Sequence, residues 1–220
     1  MIPSDPLFVA LAALAHGLVL VYWLGGDLGA FYASTLVTRS SETPAARVTA
    51  ARILNAVDMA PRTALLLAFP TGLSLAAAKD WIALPPMAEA FVWLGALGWI
   101  GLIWRLHGAS SANALKTLDL VLRLGAFAGL LGLAGLMTDW PLFVRLKCAL
   151  LAFAVGLGLA VRGVLRPFGP AFAAVAKGEA TPEADAALSA SLGQARRIVV
   201  GIWITVLSAR FLDPDMSFFA

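Results

Sequence analysis

Two ionisable residues, His16 and Lys147, interrupt apolar stretches long enough to lie inside a bilayer. His16 falls in LFVALAALAHGLVLVYWLGGDLGAFYASTLV (7–37), where hydrocarbon supplies no water to its ring nitrogens. A neutral imidazole in that position has two chemistries open to it. It can bond a neighbouring helix, or it can ligate a metal such as haem iron through one nitrogen while the other is held by a carbonyl or carboxylate. Lys147, in WPLFVRLKCALLAF, can serve as a cation for a carboxylate, or as a second ligand if burial frees its nitrogen of a proton. Trp23 and Asp27 follow His16 by 7 and 11 residues, so all three share one stripe of a helix. A ligand at His16 would run beside Trp23 toward Asp27.

The elements that must position these residues are set by composition. Hydrophobic residues make up 60% of the 220 and charged residues only 13%, with a mean hydropathy of +0.87. Soluble domains carry about a quarter charged residues. The fold expected is therefore all-α, a polytopic transmembrane helix bundle forming a single domain over 1–220. A net charge of +3 and a pI near 9.4 follow from basic loops, as membrane topology requires, and imply no nucleic acid. Cys148, the single cysteine, excludes an internal disulfide and a CxxC pair. MIPSDP has no basic segment before the first apolar run, which is expected to be a retained helix rather than a signal peptide.

About 20 residues at 1.5 Å each cross the hydrocarbon, which predicts about six spans. They cover Leu7 to Asp27, Asp58 to Ala78, Ala88 to Arg105, Thr117 to Met137, Pro141 to Leu165 and Ile198 to Leu212. Thr181 as N-cap and Pro182 behind it predict one long final helix with a polar extension. The breaks are 38–44, 79–86, 107–114, 138–141 and 166–182, with 38–56 expected to be a loop. Most of the 16 Lys and Arg residues lie toward the odd-numbered loops, which predicts both termini on the non-cytoplasmic side. Gly125 and Gly129, at GxxxG spacing, are expected to let their helix approach a neighbour closely.

Counted from the outer surface, His16 lies about 15 Å deep and Lys147 about 10 Å, so the two can meet. A separate polar layer is expected near the cytoplasmic face. It comprises Asp27, the Asp58 and Arg62 pair, Arg105, His107 and the Asp119 and Arg123 pair. Each pair has the acid four residues ahead of the base, and its expected role is mutual neutralisation, with a proton or substrate path as the alternative.

LAHGLVLVYWLGGDLGAFY resembles the first helix of the CopD-like copper-resistance membrane proteins, of their DUF2269-type relatives and of the membrane-bound bacterial protoporphyrinogen oxidase. WPLFVRLKCALLAF resembles the helix of that oxidase that carries a functional lysine. The resemblance implies haem b bound through His16, with Trp23 beside it and Lys147 in the lysine role. It also implies a bacterial inner-membrane location. Copper transport has little support, because Cys148 and the five Met residues form no repeated soft-ligand motif. The leading expectation is a haem b binding membrane protein in electron transfer or membrane oxidoreduction. The competing expectations are a non-catalytic accessory subunit of a larger respiratory or photosynthetic complex and, third, a transporter. The expected partners are membrane lipid and either protein subunits or further copies of the chain.

Overall fold

Proline opens four of the eight helices formed by the described residues, which are 5–108, 113–179 and 181–212 of the computed structural model. It suits the first helical position because the N–H it lacks has no partner there. The helices are α1 (Pro6–Val37), α2 (Pro44–Val57), α3 (Met59–Ala78), α4 (Pro86–Gly108), α5 (Asn113–Leu136), α6 (Leu142–Val164), α7 (Phe168–Ala176) and α8 (Pro182–Arg210). Side chains cap several of the starts. The Asp5 carboxylate accepts from Leu7 N–H at 2.9 Å, and the Thr43 and Thr181 hydroxyls accept from Ala46 and Ala184 N–H at 3.2 Å.

Among the described residues, five helices, α1, α4, α5, α6 and α8, are long and apolar enough to cross a membrane. Their outward side chains, among them Leu11, Leu14, Leu18, Phe91, Leu94 and Leu124, form large exposed apolar surfaces of the kind lipid covers. The remaining expected span, Asp58 to Ala78, corresponds to α3, 20 residues that carry Arg62 near the start and Pro70 inside. It is less uniformly apolar because protein, not lipid, surrounds much of it. Ala64, Leu66, Pro70, Thr71, Leu73, Ser74, Ala76 and Ala78 are all buried.

Two stretches expected as connections are helical. The 38–56 segment holds α2, begun by Thr43 and Pro44 and burying Arg47 and Ala50, and the 166–182 segment holds α7. Their polar or proline-containing composition argued for loops, but each has an apolar face with a partner in the fold. Residues 109–112 of the 107–114 break lie outside the described residues.

The chain divides into two compact units. The first comprises residues up to Trp23, Arg62–Val155 and the segment from Thr205 onward. Its core joins Leu73, Ala76, Ile82 and Val144, and in a second cluster Leu130, Cys148, Ala152 and Val155. Asp80 takes φ 54°, the left-handed conformation that ends a helix. The amides of Asp80 and Trp81 bond back to Ala77 O (3.0 Å) and Ala76 O (2.9 Å), so the chain reverses sharply at the end of α3. Arg145 Nε donates to Ala134 O at 2.9 Å and satisfies a carbonyl in the last turn of α5.

The second unit holds Leu24–Pro61 and Gly156–Ile204. Val37, Ala50 and Leu192 form its core, with Leu165, Phe168 and Phe172 packed against them. The buried Arg47 donates from Nε to Val37 O (2.9 Å) and from Nη2 to Asp185 Oδ1 (2.6 Å), so a helix-ending carbonyl of α1 and an acid in the first turn of α8 share one guanidinium. Close backbone approach occurs at Gly26, where a β-carbon would lie 2.6 Å from Ala60 Cβ. The close approach expected at Gly125 and Gly129 is absent among the described residues, since a β-carbon at either meets nothing within 4 Å.

Candidate functional site

His16 is tied to α3. Its Nδ1 lies 2.9 Å from Thr71 Oγ1, and the same hydroxyl lies 2.7 Å from Leu67 O. A hydroxyl has one proton to give, and the helical carbonyl four residues back can only accept it. Thr71 therefore accepts from His16, which assigns a proton to Nδ1 and, in the neutral ring, the lone pair to Nε2. Gly72 makes room for the ring, because a β-carbon there would come within 3.0 Å of His16 Cε1. The Thr71-Gly72 pair is thus part of the site, and sequence reasoning missed it. The available signal was a hydroxyl beside a glycine in an apolar helix.

His16 faces a cavity of about 350 Å³ within the first unit. Trp23, Lys147, Lys79, Trp81, Trp140 and Arg210 also line it. The sequence singled out His16, Trp23 and Lys147, and all three line this one space. Lys79, Trp81 and Arg210 were not anticipated as site residues. The first two arrive through the reversal at Asp80, and Lys79 Nζ sits 4.8 Å from the Trp81 ring centre, a cation–π distance. Three of its lining side chains, Lys79, Lys147 and Arg210, are cations, and no carboxylate among the described residues lines it.

The residues of the expected polar layer fall in several settings. In the first unit, Asp119 and Arg123 are brought together, with Arg123 Nε 3.1 Å from Asp119 Oδ2. Trp99 Nε1 donates to the other oxygen at 2.8 Å, and the guanidinium lies 5.8 Å from the Trp99 ring centre. Arg62, Arg105 and His107 are exposed, and His107 sits beside Trp104 at a ring separation of 6.4 Å. His107 does not line the cavity of His16. In the second unit, Asp27 is buried and accepts from Trp203 Nε1 at 3.1 Å, while Asp58 is the C-cap of α2. The buried Arg47–Asp185 pair was not anticipated, since 138 residues separate its members.

Among the described residues, no group of three or more His, Cys, Asp and Glu could hold a metal ion. A metal at His16 would therefore need most of its ligands from elsewhere, as a porphyrin provides. No protein family, curated protein or solved structure matches this chain. Its sequence and fold make it a polytopic helical membrane protein.

Proposed function

We propose that this protein binds haem b through His16 and works in electron transfer or membrane oxidoreduction. The observation carrying this reading is the bond from His16 Nδ1 to Thr71. It fixes the tautomer that a metal ligand requires and orients Nε2, as the partners of ligating histidines do. The rest of the cavity suits the same group. Trp23, Trp81 and Trp140 offer flat apolar walls, and Lys147, Lys79 and Arg210 are cations for carboxylates such as propionates. Haem would supply one-electron chemistry that the chain's own side chains lack.

The tasks left to the chain are binding, orientation and the exclusion of water. Thr71 holds the imidazole, Gly72 admits it, and the tryptophans keep the cavity apolar. Lys147 acts as the cation for a propionate or for a substrate carboxylate. In this reading the protein lies in a bacterial inner membrane with both termini on the non-cytoplasmic side, and lipid covers its exposed leucine-rich faces. Protein purified from haem-replete cells should give a dithionite-reduced minus oxidised haem spectrum, and His16→Ala should abolish it while the variant remains folded in the membrane. Wild-type protein purified without haem would remove this function.

A further inference from the structure

Arg196 is held in place without being neutralised. Its half-buried guanidinium donates from Nη1 to Ser34 Oγ at 3.3 Å, across α8 and α1 within the second unit. The Ser34 hydroxyl gives its own proton to Phe31 O at 2.6 Å, so it can only accept from the arginine. That bond fixes the direction of the guanidinium but supplies no negative charge. The other arginines withdrawn from water are compensated. Arg47 bonds Asp185, Arg123 bonds Asp119, and Arg145 sits on the carbonyl end of α5. Among the described residues, no acid forms an ion pair with Arg196 or with its exposed neighbour Arg197.

Arg196 also stands at the level of a lipid headgroup. The apolar run of α8 begins two residues later at Ile198, and α1 ends at Val37, three residues beyond Ser34. From Arg196, one stripe of α8 continues at i+4 and i+8 through Val200 and Ile204, which are 39% and 62% exposed. A cation therefore heads an exposed apolar track that runs roughly 6 and then 12 Å along the helix. These are the two halves of a lipid site. A phosphodiester accepts parallel N–H bonds from a guanidinium, and hydrocarbon covers the apolar side chains beyond it. A zwitterionic lipid brings its own ammonium and leaves the positive charge of Arg196 and Arg197 in surplus, whereas an anionic lipid offsets it. We propose that Arg196 binds the phosphodiester of an anionic phospholipid, with an acyl chain lying along Val200 and Ile204. The inference does not depend on haem at His16.

The full-length protein in mild detergent, illuminated with a phosphatidylglycerol that carries a diazirine in one acyl chain and mapped by mass spectrometry, tests this. Labels should fall on α8 around Val200 and Ile204. Dioleoylphosphatidylglycerol should compete better than dioleoylphosphatidylcholine, which shares the phosphodiester and the chains, and inorganic phosphate at equal concentration should not compete. Arg196→Gln should lower labelling about fivefold or more. Lys177→Gln, which removes an exposed charge at the end of α7 in the same unit, should leave it unchanged. Should Arg196→Gln fold poorly, the label map and the competition series of the parent decide alone. Labels absent from α8 would overturn the inference, as would an equal loss in the two variants, which would mean diffuse attraction to basic residues. Equal competition by phosphatidylcholine would overturn the anionic lipid and leave Arg196 to an acidic protein partner. Equal competition by inorganic phosphate would overturn the lipid.

Discussion

Replacing Asp119 by Leu should cost this protein most of its stability, and replacing Asp119 and Arg123 together should cost much less. Asp119 is fully buried and bonds both Arg123 (3.1 Å) and Trp99 (2.8 Å). Removing it strands a guanidinium that is 6% exposed, at about 3–5 kcal/mol, and takes the acceptor from a half-buried indole N–H, at about 1–3 kcal/mol. The sum, roughly 4–8 kcal/mol, rivals the whole stability of a typical domain, about 5–15 kcal/mol. In Asp119→Leu/Arg123→Met neither charge is left without the other, and the indole still lacks its acceptor, so the loss should fall to about 1–3 kcal/mol. Adding Trp99→Phe should recover part of that. Unfolding in mixed detergent micelles, followed by circular dichroism and by gel filtration of the recovered fold, measures each step. A double variant no more stable than Asp119→Leu would refute the reasoning and show that the pair contributes something other than mutual neutralisation.

Thr71→Val should loosen the His16 ring and weaken a haem bound there by about 10–100-fold, read by titrating haem into stripped protein. Parent-like affinity would discount the tautomer argument. Gly26→Ala should destabilise by about 1–3 kcal/mol, since its new β-carbon meets Ala60 Cβ at 2.6 Å. Gly125→Ala, with nothing within 4 Å, should stabilise by about 0.4–1 kcal/mol, and paired thermal melts distinguish the two. Tags at the two termini should react with an impermeant reagent from the non-cytoplasmic side, and termini labelled from opposite sides would change the number of crossings.

The apolar helices were legible because their signal is composition over about 20 residues, and a bilayer permits few alternatives. The boundaries were less so. The first span was expected to end at Asp27, yet α1 continues to Val37, because Asp27 finds Trp203 and no longer needs water. α2 and α7 were missed because their partners lie far along the chain and neither is long enough to announce itself. Thr43 followed by Pro44 was a readable helix start, overridden by the surrounding polar residues. At the candidate site, His16, Trp23 and Lys147 were readable from depth and helical phase. Thr71, Gly72, Lys79 and Arg210 were not, since nothing local indicates that α3 and the end of α8 border the same cavity.

The bond between Asp27 and Trp203 also sets a clock on biogenesis. The two residues are 176 positions apart. At about 5–20 residues synthesised per second, Trp203 is made roughly 9–35 s after Asp27. During that interval the carboxylate lacks this donor, and water, lipid headgroups or the insertion machinery can supply one in its place. Arg47 waits in a similar way for Asp185. The second unit is therefore completed late, from a segment made early and a segment made late. A ribosome stalled before α8 would hold a nascent chain whose first helix still lacks the Trp203 donor to Asp27, a natural mark for the quality control that clears unfinished membrane proteins.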